Sequence, residues 1–140
     1  MVENTELAIV TVDNIATQDL GAAWCSIKAD GDRDKAKRVY NALNNPDYKV
    51  ADFINKEIAI SDILIEMQGI VDEDTGVLDR VPRVVLIDDK GKAYQATSKG
   101  IFTAVRNLVK CFGEPTWVEP VVVTVKQINV KRGSMLTLAF

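Results

Sequence analysis

A mainly β chain with helices, its strands curling into a small five-stranded barrel, is the fold class this sequence predicts. Three observations carry the prediction. Residues 56–71 form a long apolar, β-branched run. Residues 81–88 with 91–98, and 118–130 with 134–139, each read as a hairpin, and a single amphipathic helix, residues 99–112, stands between the two hairpins. A three-strand meander, a helix and a two-strand return is the element order of the OB-fold, a Greek-key barrel that grips oligonucleotides or oligosaccharides. The helix then falls between strands 3 and 4. The expected organisation is an N-terminal extension over residues 1–50, with short strands and one helix packed on or flanking the barrel, and an OB-like barrel over residues 51–140.

Taken in order, residues 7–12 (LAIVTV) and 22–28 (AAWCSIK) are β-prone runs, the second ending at the turn signal Asp30-Gly31. Residues 32–44 predict a helix, with Asp32 and Asp34 at its start and Ala36, Val39, Tyr40 and Leu43 at helical spacing. Its cations Arg33, Lys35, Lys37 and Arg38 read as a solvated face before they read as a DNA contact. Residues 48–54 form a linker or short helix.

The run 56–71 is too long for one ordinary strand. It predicts a bent strand serving both halves of a barrel, with Asp62 or Gly69 marking a kink or bulge. Residues 72–76 (DEDTG) are an acidic turn leading into an exposed, mobile connection to Val81. In the central hairpin a four-residue loop, 88–91, would pair Ile87 with Lys92 and Val85 with Tyr94. That register puts Arg83, Lys92 and Tyr94 on one side. For the helix 99–112, Ser98 is placed to cap the start, Gly113 to stop it, and Ile101, Val105, Leu108, Val109 and Phe112 to form the apolar stripe, with Phe102 beside it.

The chain of 140 residues suits one domain, and 47% hydrophobic with 26% charged residues is an ordinary globular composition. Without histidine it lacks the commonest general base and the usual metal ligand. Cys25 and Cys111 are too few for a zinc site and are expected to be reduced and buried. No phosphate-cradling glycine motif occurs. The expectation is a non-enzyme without metal or cofactor, kept from the membrane by its lack of a long apolar run and placed in the cytoplasm by its lack of a signal peptide.

The net charge of −3 demands that any nucleic-acid affinity come from a local stripe and from stacking. The DNA-binding candidates are the rings Tyr94, Phe102 and Trp117, and the cations Arg83, Lys92, Lys99, Lys126 and Arg132, with Trp24 as a further ring. Each ring has a packing reading too, as a core residue. Aromatics at 6% of the chain limit the stacking count to two or three.

The run RVVLIDDKGKAYQATSKGIFTAVRNLVKCFGEPTW, followed by a valine-rich strand and GSMLTL, resembles the single-stranded DNA-binding proteins of tailed phages that infect Gram-positive bacteria. NALNNPDYKVADFINKEIAI and VDEDTG are similar to that family as well, so the likeness runs from about Asn41 to the end. The resemblance implies an OB-like fold, non-catalytic binding of single-stranded DNA in phage replication or recombination, and the host cytoplasm as compartment. It leaves room for replication proteins as partners and for an oligomer. The alternative is a non-catalytic OB-like adaptor that binds protein within a replication or transcription complex. A magnesium nuclease built on Asp62, Asp72, Asp74, Asp88 and Asp89 is the remaining rival, weakened because most of these acids lie in turns.

Overall fold

The structure is a computed structural model and describes residues 10–140. In chain order it contains a 3₁₀ turn (Ile15–Thr17), β1 (Ala23–Cys25), α1 (Arg33–Asn44), β2 (Tyr48–Lys49), a second 3₁₀ turn (Val50–Phe53), β3 (Glu57–Val71), β4 (Leu78–Asp88), β5 (Ala93–Ala96), α2 (Lys99–Phe112), β6 (Val121–Val130) and β7 (Gly133–Ala139). Among the described residues the strands make one seven-stranded sheet in the order β2-β5-β4-β3-β6-β7, with β1 paired to β3. The sheet curls into a half-barrel. All pairs between these strands are antiparallel except β2 with β5. The expected count of five is therefore corrected: β1 and β2, both upstream of residue 51, add to the same sheet.

β3 organises the rest. One edge pairs with β4 from Ile60 to Val71; the other pairs with β6 over Glu57–Ile60 and with β1 over Leu64–Glu66. The register shifts between Ile60 and Asp62, so Ser61 is an extra residue, a bulge where the sequence predicted one near Asp62. Side chains alternate faces along a strand, and one inserted residue inverts the alternation. Ile58 and Ile60 before the bulge, and Ile63, Ile65 and Met67 after it, thereby all belong to one core. Unbroken alternation would have sent Asp62 and Glu66 inward. The backbone carbonyl of Ser61 accepts the Trp117 N–H at 2.9 Å, which ties the bulge to the approach to β6.

The β4–β5 register differs from the expected one by a single residue: Leu86 faces Tyr94 and Ile87 faces Ala93. The consequence is a change of face. Tyr94 joins Val84 and Leu86 in the inner core, whereas Arg83 lies with Val85 and Ile87 on the outer side. β4 also begins at Leu78 rather than Val81, so the acidic segment is a tight turn and not a long connection. Asp72 closes it: its Oδ1 accepts the N–H groups of Asp74 (2.8 Å) and Thr75 (3.1 Å), and these bonds lower its pKa.

Two cores result, one on each face. The inner one gathers the β3 isoleucines, Ile101, Val105 and Leu108 of α2, and Val12 and Ile15 from the N-terminal segment. The outer one sets Ala42, Val39 and Leu43 of α1 against Leu64, Val85 and Ile87. Both helix starts are capped by side chains. Asp32 Oδ1 accepts from the N–H groups of Asp34 and Lys35, and Ser98 Oγ accepts from Ile101 N–H at 3.2 Å. Gly113, with φ of +82°, ends α2 in a conformation natural to glycine.

Some expectations need correction. Phe112, expected in the α2 stripe, is exposed, and Phe102, expected beside the stripe, is buried in the core. Val10–Val12 forms no strand, and Leu7–Ile9 lies outside the described residues. Cys25 is half-buried, which raises its thiol pKa, while Cys111 is exposed rather than buried; both are free.

Candidate functional site

The sheet's β2 edge carries a cluster of three rings. The parallel register of β2 on β5 sets Tyr48 beside Tyr94, and the Val50–Phe53 turn swings Phe53 back over both. Ring centroids lie 5.1 Å apart for Tyr48 and Tyr94, 5.2 Å for Tyr48 and Phe53, and 4.9 Å for Phe53 and Tyr94. These are tilted and edge-to-face contacts of the kind aromatic quadrupoles favour. Tyr94 is the foundation, 8% exposed, while Tyr48 is 42% exposed and Phe53 half-buried.

Polar bonds hold the foundation. The Tyr94 hydroxyl donates to Asp88 Oδ2 at 3.0 Å, and Asp88 Oδ1 accepts the N–H groups of Lys90 (2.9 Å) and Lys92 (2.8 Å), so one carboxylate fastens both ring and turn. Burial, then the Asp88 bond, push the Tyr94 phenol up to about 12 and keep it a neutral donor. Asp47 Oδ2 accepts the Ala93 N–H at 2.9 Å, fixing the residue before Tyr48 to the one before Tyr94.

One cation stands against the rings and two more lie near them in the chain or through a bonded neighbour. Lys49 follows Tyr48 in the chain, Lys56 Nζ stands 5.7 Å over the Phe53 ring, and Lys126 Nζ donates to Asn55 Oδ1 at 3.4 Å. Asp47, Asp52 and Glu57 are the nearby acids in sequence, and Asp47 is engaged by the Ala93 N–H. Beside the rings, a cavity of about 360 Å³ opens between the β2–β5 edge and β7, lined by Lys49, Gln95, Ala96, Ser98 and Leu136 among others. The β6–β7 hairpin along it bears Lys126, Lys131 and Arg132 and no acid. Gly100, two residues past Ser98, lies so close to the Leu136 carbonyl that a Cβ would collide with that oxygen. Exposed rings and cations that follow the backbone are the two devices that hold unpaired nucleotides; here the groove itself contributes Lys49.

The structure divides the eight predicted residues. Lys92, Lys99, Lys126 and Arg132 are exposed. Arg83 is 6% exposed; its Nε donates to Gln95 Oε1 at 3.2 Å and it pairs with Glu66 at 3.7 Å, so its charge is engaged within the sheet. Trp117 is buried, its Nε1 donating to the Gly113 carbonyl at 3.1 Å, and buried Phe102 lies under Arg106. Tyr94 is brought to the ring cluster, but beneath it. Sequence reading did not single out Tyr48, Phe53, Lys49 or Lys56, which the structure groups at this edge. The available signal was rings interleaved with lysines over residues 48–56, of which 48–54 were read as a linker or short helix and Lys56 as the start of a strand.

Among the described residues no helix is long and apolar enough to cross a membrane, and no group of His, Cys, Asp and Glu is arranged to hold a metal ion. Residues 22–140 match the family model described as Phage Single-stranded DNA-binding protein. The chain is also 30% identical over 99 residues to the single-stranded DNA-binding protein of Bacillus phage GA-1, a match covering 65% of this chain and 58% of that relative. The match thus spans somewhat over half the length of the curated relative. No solved structure matches the chain.

Proposed function

This chain belongs to the phage single-stranded DNA-binding protein family, and we propose on that premise that it binds single-stranded DNA with little sequence preference, without catalysis, during phage replication or recombination in the host cytoplasm. The observation that carries the reading is the Tyr48–Phe53 surface resting on Tyr94, with Lys49, Lys56 and Lys126 around it. Bases stack on rings whatever their identity, so the contact is sequence-tolerant. In the same reading the half-barrel is an OB-type barrel. β3 is its bent first strand, α2 lies between its third and fourth strands, and residues 1–50 extend it.

The strand would lie along the cavity between β5 and β7, its phosphates meeting Lys49, Lys126 and the Lys131-Arg132 tip. Three to five neutralised phosphates give a shallow log-log salt slope of about −2 to −4, at about −0.7 per phosphate for single strands. Anisotropy titration of labelled oligo(dT) against the chain at several salt concentrations tests this. Affinity falling with that slope, and much weaker for duplex, is expected. Salt-independent binding, or equal affinity for duplex, would refute the reading.

A further inference from the structure

The cationic face of α1 has no part in that site, yet it carries Arg33, Lys35, Lys37 and Arg38 against the single acid Asp34, in a chain whose net charge is −3. α1 turns Val39, Ala42 and Leu43 toward the outer core, which leaves a second face to solvent. Tyr40 stands on that face, 61% exposed, with Lys37 and Arg33 one and two turns before it. These three, with Ala36 and Asn41, line a shallow groove of about 530 Å³.

A second cavity, of about 400 Å³, continues from it. Asn41 lines both; Arg38, Asn45, Lys90 and Lys92 line the second, which lies between α1 and the β4–β5 turn. Its one carboxylate, Asp47, already accepts the Ala93 N–H. Asp47 and Ala93 immediately precede Tyr48 and Tyr94, so this cavity and the ring cluster lie on opposite faces of the same β2–β5 edge.

From this arrangement we propose a second single-stranded DNA track. A strand leaving the Tyr48–Phe53 surface passes over the sheet edge beside Lys92 and Lys90, and lies along α1, where a base stacks on Tyr40 and phosphates meet Arg33, Lys37 and Arg38. The inference rests on the reading of the ring cluster as the primary DNA site. Its ligand is the polyanionic strand itself, since five cations and a ring along one path suit alternating phosphates and bases. The track makes the occupied length longer than the primary site alone, and only long strands engage it.

The test compares oligo(dT) of about 8 and about 30 nucleotides, one length within and one well beyond the usual 4–16 nucleotides per OB module. Arg33→Glu/Lys37→Glu and, separately, Tyr40→Ala are titrated after far-UV circular dichroism and thermal midpoints confirm an unchanged fold. The expected result is at least a fivefold loss of affinity for the long strand, no change for the short one, and for the charge variant a long-strand salt slope shallower by about 1.4. Unchanged affinity at both lengths overturns the track and leaves α1 to another partner, such as an acidic protein. Equal losses at both lengths overturn it as well, placing α1 within the primary site. If the wild-type chain binds neither length, the reading of the ring cluster fails first.

Discussion

Two aromatic clusters of similar geometry lie on this molecule, and their surroundings differ. Tyr48, Phe53 and Tyr94 stack within about 5 Å of each other amid Lys49, Lys56 and Lys126. Phe112 lies 6.2 Å from Trp117 and 5.8 Å from Phe140, beside a cavity of about 490 Å³ whose lining includes Glu119 and no lysine or arginine. Both clusters expose ring surface, Phe140 more than any ring of the first. Exposed rings alone therefore do not single out the proposed DNA site. Phosphates accompany every base, and a rim without lysine or arginine gives them nothing to pair with.

The largest expected effect comes from stripping the first cluster. Tyr48→Ala with Phe53→Ala should weaken oligo(dT) binding by at least about 2 kcal/mol, each stacked base being worth about 1–3 kcal/mol. Phe112→Ala with Phe140→Ala should leave it within about 0.3 kcal/mol on the same scale. Equal losses in an anisotropy titration would erase the distinction between the clusters. Next in size, Lys49→Ala with Lys126→Ala should make the salt slope shallower by about 1.4 units, two phosphates' worth.

A smaller effect concerns the foundation ring. Tyr94→Phe should cost about 0.5–1.5 kcal/mol of stability in denaturant titrations, the usual worth of one hydrogen bond. It carries a pH signature. The folded phenol titrates near 12, above its ordinary value of 10, so the stabilisation is complete below pH 10 and is lost as pH rises toward 12. The gap between wild type and variant should narrow over that window, and a constant gap would separate the shift from the Asp88 bond. Smallest of all, Glu119→Lys should raise DNA affinity by less than about 0.5 kcal/mol, because one exposed charge changes a rim and builds no groove.

Much of the frame was legible because periodicity writes it. α2 announced itself through Ser98, its apolar stripe and Gly113, and the bend in β3 through Asp62 within an otherwise apolar run. The site was less legible. β2 has two residues and the following turn four, too short for either a strand or a helix period to show. Arg83 looked available because its partner Glu66 comes from the neighbouring strand, visible only once β3 and β4 are aligned. The β4–β5 register turned on loop length, and the slip of one residue carried Tyr94 from the outer face to the inner one.

Gly100 has a consequence for how wide the proposed DNA channel can be. α2 sits against β7 with only a hydrogen atom between its second residue and the peptide oxygen of Leu136, a residue that also walls the channel. A methyl group at that point would act as a wedge, levering helix and ribbon apart and resetting the calibre of the passage without touching any residue proposed to meet a nucleotide.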